Sequence, residues 1–191
     1  FRALHDINPL RANYIDQHSP VADKYLVDVG CGGGILAEAM AQRGAVVTGI
    51  DMGEAPLAVA RLHQLESGLV IDYRRSTAEQ LAAEKAGTYD IVCCLEMLEH
   101  VPEPGEVIAA SAELAKPGGA LYFSTINRNP KSFAFAIVGA EHILQLLPAG
   151  THEYARFIKP SELASWLREA GLVLEGMTGL TYNPLTKRYR L

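Results

Sequence analysis

The sequence predicts an α/β fold, a seven-stranded and mostly parallel sheet with helices on both faces. Two observations carry this. Short β-branched apolar runs, turn residues and helical patterns alternate along the chain, as they do in parallel sheets. A glycine cluster, Gly30-Cys31-Gly32-Gly33-Gly34, leads from the first apolar run directly into a helical pattern.

The elements follow in order. Tyr25-Leu-Val-Asp-Val29 is a first strand and the glycines are its turn; a helix over 35–43 follows. Val46-Val-Thr-Gly-Ile50 is the second strand, with a helix over 55–67. Strands at 69–74 and 89–95 come next, then a helix over 103–114. Pro117-Gly118-Gly119 marks a turn before a fifth strand at 120–124. Helices over 133–147 and 160–170 follow, the latter opened by Lys159-Pro160-Ser161 and nearby acids. A sixth strand is expected at 172–178 and an antiparallel seventh from Lys187. Residues 1–191 read as a single domain, with 1–24 as a helical or lid segment and 128–159 as an apolar insert.

Composition narrows the function classes. At 191 residues the chain can bury a core of its own. Its 49% hydrophobic and 20% charged content is that of a globular protein, not a disordered one. A net charge of −5 has the wrong sign for neutralising phosphates, so nucleic acid is not expected as a partner. Cys93 and Cys94, adjacent in a strand, point to opposite faces and are poorly placed to bridge, which suits a reducing, cytoplasmic setting. The chain opens at Phe1 with no leader pattern and stops in an apparent strand start, so both ends are expected to be trimmed.

The glycine loop carries chemistry. Glycine lets a ligand approach the backbone more closely than a Cβ would allow. Loop amides and the following helix N-terminus offer donors to polar or anionic groups. Seventeen residues past Gly34 the second strand ends at Asp51, where a carboxylate can accept both hydroxyls of a ribose. Two ligands compete for this pattern. A nicotinamide dinucleotide fingerprint can be laid on Gly32, Gly34 and Ala37. Asp28, inside the strand end two residues before Gly30, tips the balance: it would repel a pyrophosphate and suits a ligand with a cationic end, such as the amino group of S-adenosylmethionine (AdoMet). A Rossmann-like AdoMet-dependent methyltransferase is the reading, and an NAD enzyme the alternative. A glycine turn with no ligand would leave both acidic residues unexplained. Beyond the third strand, Arg75-Ser-Thr77-Ala78-Glu-Gln-Leu81 lies where AdoMet enzymes flank the adenine, so Thr77 and Ala78 join the cofactor candidates; a helix cap is the plainer role for Thr77.

After the fourth strand, Glu96, Glu99 and His100 are spaced to share one face of a helical turn at the mouth of the same crevice. Two roles stay open. They could hold a divalent metal or do acid–base work, or they could shape the pocket. Two carboxylates suit Mg²⁺, whereas imidazole is a less typical ligand for it, so His100 is read as a ligand or a general base.

Asn8-Pro-Leu-Arg11, Asp28-Val-Gly-Cys-Gly-Gly-Gly-Ile-Leu-Ala-Glu38, Gly49-Ile-Asp-Met-Gly53, Glu96-Met-Leu-Glu-His-Val-Pro102, Ser124-Thr-Ile-Asn-Arg-Asn129 and Gly150-Thr-His152 together resemble the ubiquinone-biosynthesis O-methyltransferase family. The resemblance covers nearly the whole chain. It implies a class I methyltransferase that methylates polyprenyl catechols and demethylubiquinol, in both O-methylation steps. It implies AdoMet contacts at Arg11, Gly30, Asp51 and Leu95, the last often Met in relatives; Asp28, Gly32 and Met52 complete the expected set. It also implies Mg²⁺ or another divalent metal at Glu96, Glu99 and His100, which would acidify a chelated catechol hydroxyl, with His100 the second-choice proton acceptor. The paired tryptophans of relatives' N-terminal segment are missing, so the lid and part of the acceptor pocket are expected to be incomplete.

Phe133-Ala-Phe135-Ala-Ile137-Val138 and the residues to Pro148 are apolar almost all round as a helix, and too short to span a bilayer. This is a core helix, or a surface that dips into anionic lipid or lines a polyprenyl channel. With the resemblance, it implies a cytoplasmic protein held peripherally at the inner face of the membrane, near other ubiquinone-biosynthesis proteins. His152 is a candidate for the acceptor pocket; His5, His18, His63 and His142 read as surface or helix residues. Other functions left open are O-methylation of another small phenol and a non-catalytic AdoMet- or lipid-binding scaffold.

Overall fold

The computed structural model describes residues 2–127, 157–183, 186 and 188–191. Its elements in chain order are α1 (Arg2–His18), β1 (Tyr25–Val29), α2 (Ile35–Ala41), β2 (Val46–Asp51), α3 (Glu54–Ser67), β3 (Ile71–Arg75), α4 (Ala78–Lys85), β4 (Tyr89–Leu95), a 3₁₀ turn (Leu98–His100), α5 (Pro104–Leu114), β5 (Ala115–Ser124), α6 (Pro160–Glu169), β6 (Thr181–Asn183) and β7 (Arg188–Arg190).

Strands β1 to β5 form one parallel sheet in the order β3-β2-β1-β4-β5. The order reverses between β1 and β4, the switch point at which parallel sheets place a ligand crevice beyond the strand ends. Because a parallel sheet is covered on both faces, its strands read as continuous apolar runs whose side chains alternate between two cores. Leu26, Val47, Ile71 and Cys93 face a core with Met40 and Leu57. Val27, Ile50, Val92 and Cys94 face another with Ile108 and Leu114. Cys93 and Cys94 thus lie on opposite faces, and all three cysteines are free. Helix α1 adds Ala12 and Ile15 to the first core, and Asn8 Nδ2 donates to the Ile35 carbonyl at 3.0 Å, tying α1 to the start of α2.

The parallel α/β architecture is as expected, but the strand count is not. Among the described residues the main sheet has five strands, and β6 and β7 form a separate antiparallel pair. The apolar run 172–178 makes no ladder: Gly171 turns the chain at φ +73°, and Val173, Leu174 and Met177 stand exposed. An apolar run becomes a strand only when an edge meets its backbone groups. Pro117-Gly118-Gly119 lies inside β5, where the register jumps from Tyr89↔Ala115 to Ile91↔Ala120; the expected turn is absorbed as a bulge, with Gly118 at φ +77°. Helix α4 was foreshadowed only by the plainer reading of Thr77 as a helix cap, which the structure bears out. Its signal was short: Thr77 accepts from the Gln80 amide while the Gln80 side chain accepts from the Thr77 amide, a capping box. The expected helix over 133–147 lies outside the described residues.

Candidate active site

The glycine loop is built by a few backbone bonds. The amides of Gly30 and Cys31 both donate to the Ile50 carbonyl, at 2.8 and 2.9 Å, folding the loop over the end of β2. Asp51 completes the tie: Oδ2 accepts from the Gly32 amide at 2.9 Å and Oδ1 from the Gly53 amide at 2.7 Å. A carboxylate has about four lone-pair sites, so both oxygens keep capacity for ribose hydroxyls.

The loop glycines do different jobs. Gly30, Gly32 and Gly34 all take left-handed φ, at +74°, +52° and +82°. A Cβ on Gly30 would sit 2.6 Å from Met97 Cγ, and one on Gly34 would collide with the Tyr73 hydroxyl. A Cβ on Gly32 would meet nothing within 4 Å. Gly30 and Gly34 therefore serve packing, whereas Gly32 faces open space that a ligand can enter. Gly32→Ala is expected to cost only about 1 kcal/mol in folding, yet to weaken cofactor binding at least tenfold. Gly30→Ala is expected to lower the melting temperature markedly, because its Cβ displaces Met97 as well. Paired thermal melts and calorimetric titrations check the contrast.

Asp28 ends up buried, 3% exposed, near the end of β1. Burial raises its carboxyl to about 7, and the charge of Asp51 adds to the rise; the Ala37 amide and the Arg11 guanidinium oppose it. Ionising this carboxyl is costly unless a positive charge lies beside it. The loop after β3 adjoins the same place, since the Ser76 amide donates to the Asp51 carbonyl at 3.3 Å. Thr77 is the cap of α4 and the Ala78 side chain is buried, so that loop can offer a ligand mainly backbone groups. Met52 is half-exposed, and its carbonyl accepts from Arg75 Nε at 3.2 Å.

On the other side of the crevice, β4 ends at Leu95, half-buried against the first core. Glu96 follows at φ +53°, a left-handed conformation that non-glycine residues seldom take. Ser124 holds it there: the Glu96 amide donates to the Ser124 carbonyl and to its Oγ, both at 3.1 Å, and Ser124 Oγ donates to Glu96 Oε1 at 2.8 Å. Arg11 Nη2, reaching over from α1, pairs with the same Oε1 at 2.7 Å. Glu99 is buried, with its carboxyl pushed up to about 7 by desolvation and then by the charge of Glu96. Thr125 Oγ1 donates to Glu99 Oε2 at 3.1 Å, while Oε1 is buried without a partner. His100 is exposed.

This arrangement bears on the metal expectation without supporting it. Among the described residues no three His, Cys, Asp or Glu side chains converge to hold an ion. Glu96 is engaged by a guanidinium, which would repel a divalent cation, while Glu99 is buried and His100 exposed. Glu96, Glu99 and His100 as placed do not fit a metal ligand set. The AdoMet candidates fit their ligand better, since Asp28, Asp51 and the open Gly32 share the crevice with Arg11 within electrostatic reach.

Comparison with known proteins agrees. Residues 5–175 match the family model described as a methyltransferase domain. The Ubiquinone biosynthesis O-methyltransferase of Saccharophagus degradans is 66% identical over all 191 residues, which span 81% of that protein. That of Stutzerimonas stutzeri is 67% identical, with 82% of its length spanned. The chain belongs to the ubiquinone biosynthesis O-methyltransferase family. Among solved structures, the magnesium protoporphyrin IX methyltransferase of Synechocystis with bound SAH shares the fold, at TM-score 0.70 and 21% identity, over 97% of this chain and 78% of that one. A SAM-dependent methyltransferase from Aquifex aeolicus does so at TM-score 0.66 and 15% identity, over 94% and 85%. The chain is accordingly an AdoMet-dependent O-methyltransferase, and the NAD alternative is set aside.

In this O-methyltransferase some supporting residues had no assigned role in the sequence reading. Ser124, the last residue of β5, and Thr125, just past it, position Glu96 and Glu99, but nothing in their spacing tied them to residues 28 and 26 positions away. Met97, in the turn after β4, and Tyr73, on β3, brace the glycine loop, and a sequence alone does not mark such contacts.

Proposed function

We propose that this protein methylates a catechol hydroxyl of polyprenylated ubiquinone precursors, in both O-methylation steps of the pathway. The observation that carries it is the buried carboxylate of Asp28 beside the open face of Gly32, in a chain 66% identical to its named relatives. Bound AdoMet supplies a methyl group already activated by its sulfonium. Asp28 receives the cofactor's amino group, Asp51 its ribose hydroxyls and Arg11 its carboxylate. Gly30, Gly32, Met52, Leu95 and the Thr77–Ala78 backbone line the rest. The protein's remaining task is to align the acceptor and take its proton.

Glu99 is the proposed proton acceptor. Its unpartnered Oε1 needs a donor, and a carboxyl raised to about 7 is half ionised near neutral pH. Glu96 lies close enough to raise it further, and His100, exposed, is the second choice. Transfer of label from AdoMet to a short-chain polyprenyl catechol tests this reading. Binding of AdoMet with no transfer to any catechol would favour a silent scaffold, and transfer to simple phenols alone would favour another small acceptor. The same assay with EDTA tests the divalent-metal expectation: turnover lost to EDTA and restored by Mg²⁺ would require Arg11 to release Glu96.

We also propose that the protein works at the inner face of the membrane, meeting anionic headgroups and other ubiquinone-biosynthesis proteins there. No described helix is long and apolar enough to cross a membrane. Support comes from the apolar run of 133–147 and the lipid character of a polyprenyl acceptor. Replacing Phe133, Phe135 and Ile137 with polar residues is expected to abolish sedimentation with phosphatidylglycerol vesicles while the protein stays folded; wild-type protein left wholly in the supernatant would contradict it.

A further inference from the structure

Arg11 faces two claims. Asp28, the seat for the cofactor's amino group, feels its positive charge, which helps offset the cost of burying that carboxyl. In AdoMet the amino group and the carboxylate sit on one carbon, so a carboxylate bound there comes close to the same guanidinium. Yet Arg11 Nη2 already pairs with Glu96 Oε1 at 2.7 Å, with the two side chains only 14% and 29% exposed. In such a setting charge pairs are weakly screened and compete strongly.

Glu96 is not there by default. Its φ of +53° costs conformational energy, and three hydrogen bonds with Ser124 keep the carboxylate aimed at Arg11. Helix α1 is also fastened to α2 through Asn8, so the guanidinium is held at the border between the two halves of the crevice.

We infer that Glu96 is a built-in competitor for Arg11 that sets the affinity for the amino-acid end of the cofactor, restraining the binding of both AdoMet and its demethylated product. This rests on the AdoMet reading above. Glu96 thereby acts as a positioning residue for Arg11, and its strain is maintained to keep product from being held too tightly.

The test is calorimetry with two ligands, AdoMet and decarboxylated AdoMet, on wild-type protein and on Glu96→Gln and Glu96→Gly. Glycine is at home at φ +53°, so the second variant keeps the test open should the first fail to fold. AdoMet is expected to bind both variants five- to tenfold more tightly. The decarboxylated ligand, a pure cation, is expected to bind them no better than wild type. Unchanged or weaker AdoMet binding, or equal tightening of both ligands, would overturn the inference. Failure of wild-type protein to bind AdoMet at all would instead strike the cofactor reading.

Discussion

Asp28→Asn is expected to weaken AdoMet binding about 100-fold and, in the same protein, to raise the melting temperature of the ligand-free form at pH 8. The first effect is the loss of a charge-assisted contact in a buried site. The second follows from linkage. The folded-state pKa of Asp28, about 7, lies above its ordinary value of 3.8. The folded protein therefore binds the proton more tightly than the unfolded chain, and stability falls as pH rises from about 4 to about 7. Above pH 7 the penalty is complete, up to roughly 4 kcal/mol. A neutral amide escapes it. The stability advantage of the variant should vanish near pH 4, where the wild-type carboxyl is protonated in both states. In wild type, AdoMet affinity should fall about tenfold per pH unit below 7, because only the ionised carboxylate seats a cation. Thermal melts from pH 4 to 8 with parallel titrations check both halves. A variant less stable than wild type at pH 8 would mean Asp28 serves the fold and not the ligand.

Glu99→Gln is expected to lower kcat by 10²- to 10⁴-fold, the usual range for removing a general base. The pH dependence is the sharper readout. With AdoMet saturating, so that the titration of Asp28 drops out, wild-type kcat should rise with pH through a group near 7, the value to which burial and the neighbouring Glu96 push the Glu99 carboxyl. The variant should lose that limb. It should also be no less stable at pH 8, since a neutral side chain escapes both the desolvation and the repulsion from Glu96. A full-strength variant with the limb intact would move the proton to another group, His100 first.

The fold was legible where periodicity and glycine chemistry agree. The runs around Val27, Ile50 and Val92 are apolar on both sides because a parallel sheet is buried on both, and they became adjacent strands. The placement of the cofactor candidates was legible for the same reason: Asp28 and Asp51 sit at strand ends, and pairing of β1 with β2 brings strand ends together. Legibility failed where a partner decides the outcome. The 172–178 run has strand composition but no paired edge, and the Pro117 turn became a bulge because β4 continues beside it. The acidic trio was legible as residues but not as an arrangement. Spacing placed Glu96, Glu99 and His100 on one face, but the local backbone turns left-handed at Glu96 and sends its carboxylate to Arg11, 85 residues back. No i, i+3, i+4 rule foresees a positive φ inside the pattern.

The cation seat at the end of β1 is tested most directly by isothermal calorimetry of the wild-type protein at pH 8 with AdoMet, S-adenosylhomocysteine and NADH in separate cells. The account predicts saturable binding of the first two and none of the third, with the heat lost on Asp28→Asn. Uptake of NADH with no response to either sulfur ligand would contradict it.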